Sequence, residues 1–441
     1  LAKGVERAGA SIINTGIGWH EARIPTIATS VPRGAFTWVT RKMMGEVSIP
    51  LITTNRINTP HKAEEILAAG DADMISMARP FLADPEFVLK AAEGRPDEIN
   101  ICIGCNQACL DHTFNGKVSS CLVNPRACNE TELNYVPTDA PKKIGVVGAG
   151  PAGLSAAIVA AERGHEVHLF DRSEEIGGQL NMAKQIPGKE EFWHMVDYFR
   201  RQLEVKGVLV HLGREVSVED LEGFDEVIVA TGVSPRDPEI PGQEHPKVLS
   251  YIDVLKRAKP VGKKVAVIGA GGIGFDVCEF LATGHSPTED LELWKSEWGV
   301  GDPDETPGGL AAEGAQPERA LREIMLLQRK SKKHGAGLGK TTGWIHRASL
   351  KMKTVQMIGG VNYEEICDEG LRISRGEARE NPELLEVDNV VLCAGQVPMN
   401  ALVGPLEEKG IRTHVIGGAD VAAELDAKRA IDQGSRLAAE L

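Results

Sequence analysis

The sequence predicts an α/β protein: the C-terminal part of a (β/α)8 TIM barrel, followed by two Rossmann-like nucleotide-binding domains. Three observations predict it. Short apolar, strand-like runs alternate with helical stretches through residues 1–101. Two glycine fingerprints, starting at Gly148 and Gly269, each follow a strand-like run and open a helix-like one. Between the barrel-like part and the first fingerprint, half of the chain's eight cysteines fall close together.

At 441 residues the chain should hold two to three domains, at about 150 residues each. An apolar content of 42% is ordinary for a globular protein. The net charge of −14 argues against a general nucleic-acid binder, whose affinity rests on Lys and Arg neutralising phosphates. No run approaches the ~18 apolar residues of a membrane span, and no signal-peptide pattern opens the chain. Cysteines clustered as if for metal suit a reducing cytosol, so a cytoplasmic location is expected.

In the first part, Ala10 to Ile13, Pro50 to Thr53 and Met74 to Met77 read as strands. Leu1 to Ala8, His61 to Ala69 and Pro85 to Glu93 read as helices. Such a βα repeat builds a parallel sheet. The chain opens at Leu1 inside a helix-like piece, so it reads as the interior of a longer protein with an incomplete barrel. Polar groups gather after each strand: His20, Glu21 and Arg23; Asn55 and Arg56; Ala78, Arg79 and Pro80. Barrel active sites form at the strands' C-terminal ends, and a phosphate site commonly follows the last two strands. A single Arg is more often a surface ion-pair partner. Its recurrence at two successive strand ends favours an anion site at Arg56, Ala78 and Arg79. A lone histidine is usually structural, but His20 stands where an imidazole could transfer a proton near neutral pH.

The cysteine segment reads C-x2-C-x3-C-x11-C, at Cys102, Cys105, Cys109 and Cys121. Three thiolates within a turn or two, with a fourth returned by a loop containing Gly116, can surround one compact centre. Four thiolates suit a [4Fe–4S] cluster. Zinc is a rival, though it usually takes two C-x2-C pairs further apart. A redox disulfide between Cys102 and Cys105 would leave Cys109 and Cys121 without a role. Cys278, Cys367 and Cys393 read as core residues, and the spacing of Cys128 does not place it as a ligand.

Lys143 to Val147 reads as a strand, followed at once by Gly148-Ala149-Gly150-Pro151-Ala152-Gly153, a helix (Leu154 to Arg163) and a second strand (Glu166 to Phe170) ending on Asp171. This is the dinucleotide fingerprint in context. The glycines admit a pyrophosphate at a helix N-terminus, and the acid accepts from a ribose hydroxyl. Gly177-Gly178-Gln179 comes next, then a closing strand and turn at Val227 to Gly232. The pattern repeats at Val265 to Ile268 with Gly269-Ala270-Gly271-Gly272-Ile273-Gly274 and a helix to Leu281. Here an acidic, Gly- and Pro-rich insert (His285 to Pro317) precedes the second strand, Ile324 to Leu327. That strand ends on Arg329-Lys330, with Lys332 and Lys333 beyond. An acid there favours NAD, and a basic pair favours the extra phosphate of NADP. The bland alternative is a solvated charge run. Gly335 to Thr341 imitates a phosphate-binding P-loop, but His334 stands where its first Gly belongs, so ATP chemistry is set aside. The chain closes with Val390 to Gly395, then Val415-Ile416-Gly417-Gly418-Ala419-Asp420 and a helix. The expected division is 1–101 barrel, 102–141 cysteine segment and linker, 142–262 with 388–441 as one nucleotide domain, and 263–387 as the other.

This order resembles one family closely, the bacterial NADPH-dependent 2,4-dienoyl-CoA reductases, related to trimethylamine dehydrogenase and old yellow enzyme. The resemblance is carried by Gly18-Trp19-His20-Glu21-Ala22-Arg23, Thr53-Thr54-Asn55-Arg56, Ser76-Met77-Ala78-Arg79-Pro80, the cysteine segment, both fingerprints and Gly343-Trp344-Ile345-His346. It implies that His20 belongs to a proton-donating pair and that His20, Glu21, Ala22 and Arg23 line a substrate pocket. It implies FMN on Arg56, Ala78 and Arg79, and a [4Fe–4S] cluster on Cys102, Cys105, Cys109 and Cys121. Gly148, Gly150, Ala152, Gly153, Asp171, Gln179, Lys189, Val216 and Asp420 would hold FAD. Gly269, Gly271, Gly274, Arg329 and Lys330 would hold NADPH. Electrons would pass from NADPH to FAD, cluster, FMN and a 2,4-dienoyl-CoA, giving an enoyl-CoA in β-oxidation of unsaturated fatty acids. The family's catalytic Tyr belongs to barrel sequence that precedes these residues. The expected partner is a small acyl-CoA, with no nucleic acid, no membrane span and a monomer as a plausible state. Competing readings are a related ene-reductase or amine dehydrogenase, or an NADPH–FAD–cluster electron-transfer module without FMN chemistry.

Overall fold

A computed structural model of the chain describes residues 1–18, 22–380, 382–423 and 426–441, with Pro307 by its backbone alone. The chain divides into two compact units. The first comprises Leu1–Cys128, Pro187–Tyr198 and His285–Pro317; the second comprises Asn129–Ile186, Phe199–Gly284 and Glu318–Leu441. Among the described residues no helix is long and apolar enough to cross a membrane.

The first unit carries a parallel sheet of three strands in the order Ile13–Asn14, Leu51–Thr53, Met74–Ile75. These are the three strands expected, each a residue or two shorter. The helix Pro60–Ala68 between two of them starts with proline in its first turn, and the Thr59 side chain accepts from Lys62 N. Both features satisfy or remove amide donors that a helix start leaves over. A chain of buried hydroxyls, Thr15 to Thr40 (2.7 Å) and Thr40 to Thr53 (2.9 Å), ties the sheet to the helix Thr37–Arg41.

The acidic insert is also part of this unit, and not of the second nucleotide fold to which the expected range 263–387 assigns it. Its helix Leu291–Trp298 is capped by the Asp290 carboxylate and stopped by Gly299 in the left-handed region. Trp294 is 1% exposed and packs edge-on against Phe36. Lys42 Nζ holds Asp302 and Asp304, each at 2.7 Å. An indole buries a large apolar area, and that burial decides where the insert goes. Sequence order does not report it.

The second unit holds two five-stranded parallel sheets. The first runs Arg412–Val415, Glu226–Val229, Lys143–Val147, Glu166–Phe170, Leu209–His211. The second runs Gln356–Gly359, Glu323–Gln328, Lys264–Ile268, Asn389–Leu392, Val248–Ser250. Central strands such as Glu226–Val229 are buried along their whole length, as parallel sheets covered on both faces require. The C-terminal strand Arg412–Val415 pairs with Glu226–Val229, so the first sheet is discontinuous in sequence, with the second fold inserted. The edges of that inserted fold differ from expectation. Val248–Ser250 and Asn389–Leu392 both lie in the second sheet, outside 263–387. An antiparallel pair, Val233–Pro235 with Gln396–Pro398, marks the two crossings between the folds. A three-stranded antiparallel sheet (Val361–Cys367, Gly370–Arg375, Glu383–Glu386) adds to what the sequence predicts.

Candidate functional site

The two nucleotide turns repeat one geometry. Gly148 has φ +111°, and a β-carbon there would lie 2.3 Å from the Ala230 carbonyl oxygen. One at Gly153 would lie 1.9 Å from Gly148 O. At Gly269 (φ +111°) the obstacle is Cys393 O at 2.3 Å, and at Gly274 it is Gly269 O at 1.8 Å. Gly150 and Gly271 face open space instead. In each turn two glycines close the backbone on itself, and the middle one leaves room for a ligand. That is the fit a pyrophosphate at a helix N-terminus needs.

The residues beyond the second strand differ between the two folds. Asp171 ends Glu166–Phe170, and its carboxylate accepts from Ala149 N (2.7 Å) and Ser173 N (2.7 Å), beside the glycine turn. Arg329 and Lys330 end Glu323–Gln328 and are exposed. Asp420 comes directly after the turn Gly417–Ala419 and accepts from Gln433 (3.1 Å). That turn presses on the first nucleotide helix, since a β-carbon at Gly417 would lie 2.8 Å from Ala152 Cβ. Gln179 caps the helix Leu180–Ala183 and accepts from Gln396, which also donates to the Tyr251 hydroxyl at 2.9 Å. Val216 is buried in the core of the first sheet. Lys189 falls in the first unit, and the other residues expected around FAD fall in the second.

In the first unit the four expected thiols come together. Cys102, Cys105, Cys109 and Cys121 line one small pocket with Arg79, Leu82, Ile103, Asn106, Leu122 and Val123. Gly104 (φ +66°) and Asn106 (φ +62°) turn the backbone sharply between the first three. Ser120 N bonds Ala108 O at 2.8 Å, returning the chain so that Cys121 joins them. All eight cysteines are free, so no Cys102–Cys105 disulfide exists in this structure. Burial pushes the Cys105 thiol well up, with Cys121 next in effect. Burial and then Cys102 push Cys121 up to about 12. Crowded, dry thiols of this kind are neutral alone and lose their protons when a metal centre takes the sulfurs. Among the described residues, no group of three or more His, Cys, Asp or Glu converges for a single metal ion. The thiols ring a pocket rather than meet at a point, and their donor chemistry fits a thiolate-held iron–sulfur cluster.

His20 and Glu21 lie outside the described residues. Ala22 is half-buried and Arg23 exposed. The two arginines expected on a phosphate each have a protein partner in this structure. Arg79 Nη1 donates to Asn106 Oδ1 at 2.5 Å, inside the cysteine segment, while Ala78 is exposed beside it. Arg56 is buried and donates to Glu191 at 2.6 Å. Sequence reasoning missed Glu191, Arg33 and Asn58. An acid opening an amphipathic helix (Glu191–Val205) reads as a surface group, and nothing in the sequence pairs it with Arg56. Burial pushes the Glu191 carboxyl up, but the guanidiniums of Arg56 and Arg33 outweigh it and hold it at about 2.

A family model of pyridine nucleotide-disulphide oxidoreductases matches residues 142–429. The chain belongs to that family. Residues 2–98 match a second model, the NADH:flavin oxidoreductase / NADH oxidase family. The expected class, a flavin barrel joined to a pyridine-nucleotide domain, is the one these matches give. The metal reductase of Desulforamulus reducens is 36% identical over 95% of this chain and 62% of its own length. The bilirubin reductase of Mediterraneibacter gnavus is 30% identical over 98% of this chain and 62% of its own. Among solved structures, a 2-naphthoyl-CoA reductase with 2-naphthoyl-CoA superposes with a TM-score of 0.86 at 26% identity, over 100% of this chain and 62% of that one. The chain thus spans about 62% of the length of these relatives.

Proposed function

We propose that this chain is the cofactor-docking and electron-delivering part of an NADPH-dependent 2,4-dienoyl-CoA reductase, which forms an enoyl-CoA in the β-oxidation of unsaturated fatty acids. One observation carries the reading. Four clustered thiols share a pocket in the same chain as two intact dinucleotide turns with opposite charge after their second strands. Similarity to a reductase crystallised with an aryl-CoA thioester supports the acyl-CoA side.

When bound, NADPH supplies hydride, the flavins exchange paired for single electrons, and the cluster passes electrons singly. The chain's own groups bind and orient. Gly148, Gly150, Ala152 and Gly153 take the FAD pyrophosphate, Asp171 its ribose, and Gln179, Lys189, Val216 and Asp420 the rest of the nucleotide. Gly269, Gly271 and Gly274 take the NADPH pyrophosphate, and Arg329 and Lys330 its extra phosphate. Cys102, Cys105, Cys109 and Cys121 hold the cluster. Arg56, Ala78 and Arg79 serve FMN. His20 supplies the proton at the carbon alpha to the thioester, with Glu21, Ala22 and Arg23 around it.

The test uses anaerobically handled protein. NADPH should be consumed with a 2,4-dienoyl-CoA far faster than with a simple enone or a secondary amine. His20→Ala should abolish dienoyl-CoA reduction and spare NADPH-driven reduction of an artificial acceptor. Preferred turnover of the enone or the amine would place the protein elsewhere in its class. Loss of both activities in His20→Ala would remove His20 from the substrate end.

A further inference from the structure

The cysteine loop rests on a buried charge network that reaches it from another part of the chain. Asn58 Nδ2 donates to the Cys102 carbonyl (2.8 Å) and to Glu191 Oε1 (3.0 Å). Arg56 Nη2 donates to that same Oε1 (2.6 Å), and Arg56 Nε to Val31 O (2.9 Å). Arg33 takes the other carboxylate oxygen at 2.5 Å. The Arg56 and Glu191 side chains are 1% and 4% exposed. Gly104, between the first two thiols, has φ +66°, and a β-carbon there would lie 3.1 Å from Arg56 Nη1 and from the Thr29 backbone. Arg56 therefore packs directly against the Gly104 turn. Asn55 and Arg56 themselves sit at φ +76° and +55°, a backbone state that persists only where the surroundings over-determine it.

We propose that Glu191 is a positioning residue for the cysteine loop: it fixes Arg56 against Gly104 and Asn58 on the Cys102 carbonyl, setting both the seating of the first two thiols and the charge beside the group they hold. The inference rests on reading those thiols as iron–sulfur ligands. Removing one member of a buried pair leaves the other charge uncompensated, and net charge near an iron–sulfur cluster is one of the quantities that sets its potential. Glu191→Gln and Arg56→Gln break the same ion pair but leave opposite charges behind. A bracing role without electrostatic reach would move both variants alike.

The experiment is a redox titration, followed by electron paramagnetic resonance, of the anaerobically purified chain and these two variants, with iron release to a chelator measured in parallel. The midpoint potential should rise in Glu191→Gln and fall in Arg56→Gln, and both should lose iron several-fold faster than the parent. Shifts of one sign in both, or unchanged potentials and release rates, overturn the proposal. Should Glu191→Gln fail to fold, Asn58→Ala keeps the Arg56–Glu191 ion pair and removes the clasp on Cys102 together with one donor to Glu191. It should release iron several-fold faster, and an unchanged rate overturns the proposal. An iron-free parent chain would instead defeat the iron–sulfur reading. The bracing is then judged by alkylation of Cys102 and Cys105, expected several-fold faster in Glu191→Gln and overturned by equal rates.

Discussion

The two nucleotide folds share their turns almost atom for atom and differ in the side chains beyond them. Gly148 and Gly269 have the same φ of +111°, and each would drive a β-carbon to 2.3 Å from a carbonyl oxygen of its closing strand's turn. Past the second strand, one fold offers the carboxylate of Asp171 and the other the cations of Arg329 and Lys330. Close backbone packing admits any dinucleotide, while one or two side chains at a strand end choose which. The first fold also borrows its outer strand, Arg412–Val415, from the far end of the chain. The second closes with Asn389–Leu392 before that return.

The largest effect should come from the turns themselves. Gly153→Val puts branched carbons where 1.9 Å separates a β-carbon from Gly148 O. It should strip FAD from the purified chain, a cost of several kcal/mol, on the order of 3–5. Gly274→Val should leave FAD in place and abolish NADPH binding, read by flavin absorbance and by titration. A shared loss in both variants would break the assignment of separate cofactors.

Next comes the charge. Replacing Arg329 and Lys330 together by Ala should weaken NADPH about 10- to 100-fold, since a charge-assisted contact is worth about 1.5–3 kcal/mol. NADH should be unaffected, and equal losses for both would return the pair to a solvated run. Asp171→Asn should be milder, about tenfold in FAD affinity, because the amide keeps one acceptor for Ala149 N.

The smallest effect concerns the borrowed strand. Glu226 is buried and bonds Lys142 (2.6 Å) and His414 (2.6 Å), the latter on Arg412–Val415. Burial raises its carboxyl, but Lys142 and His414 outweigh this and hold it below the usual carboxylate range. A lowered folded value means the contribution is full above that range and fades as pH falls through the folded value. Glu226→Gln should therefore destabilise the chain by about 1–2 kcal/mol near neutral pH. The gap to the parent should close on acidification. A constant gap across pH would remove the ionic cause.

Much of the fold and the candidate site is legible in the sequence because it is local. Lys143–Val147 and Glu166–Phe170 lie where apolar runs flanked by glycine put them. Cys102, Cys105, Cys109 and Cys121 are close in sequence, so spacing alone brings them near one another. The hidden part depends on partners far along the chain. Glu191 meets Arg56 across 135 positions, and Trp294 meets Phe36 from inside an insert whose composition suggests a loop. Composition marks the insert's bounds, His285 and Pro317, but burial of one indole decides the unit it joins. The short strands Val248–Ser250 and Gln356–Gly359 carry too few apolar residues to register as periodic.

The most direct measurement is elemental: iron, acid-labile sulfide and zinc per chain in anaerobically prepared protein, beside extracted flavin. We expect about four iron and four sulfide per chain with FAD bound, lost together when Cys105 is changed to Ser. Stoichiometric zinc at those thiols, or flavin without any iron, would contradict a cluster there and with it the electron route from nicotinamide to barrel.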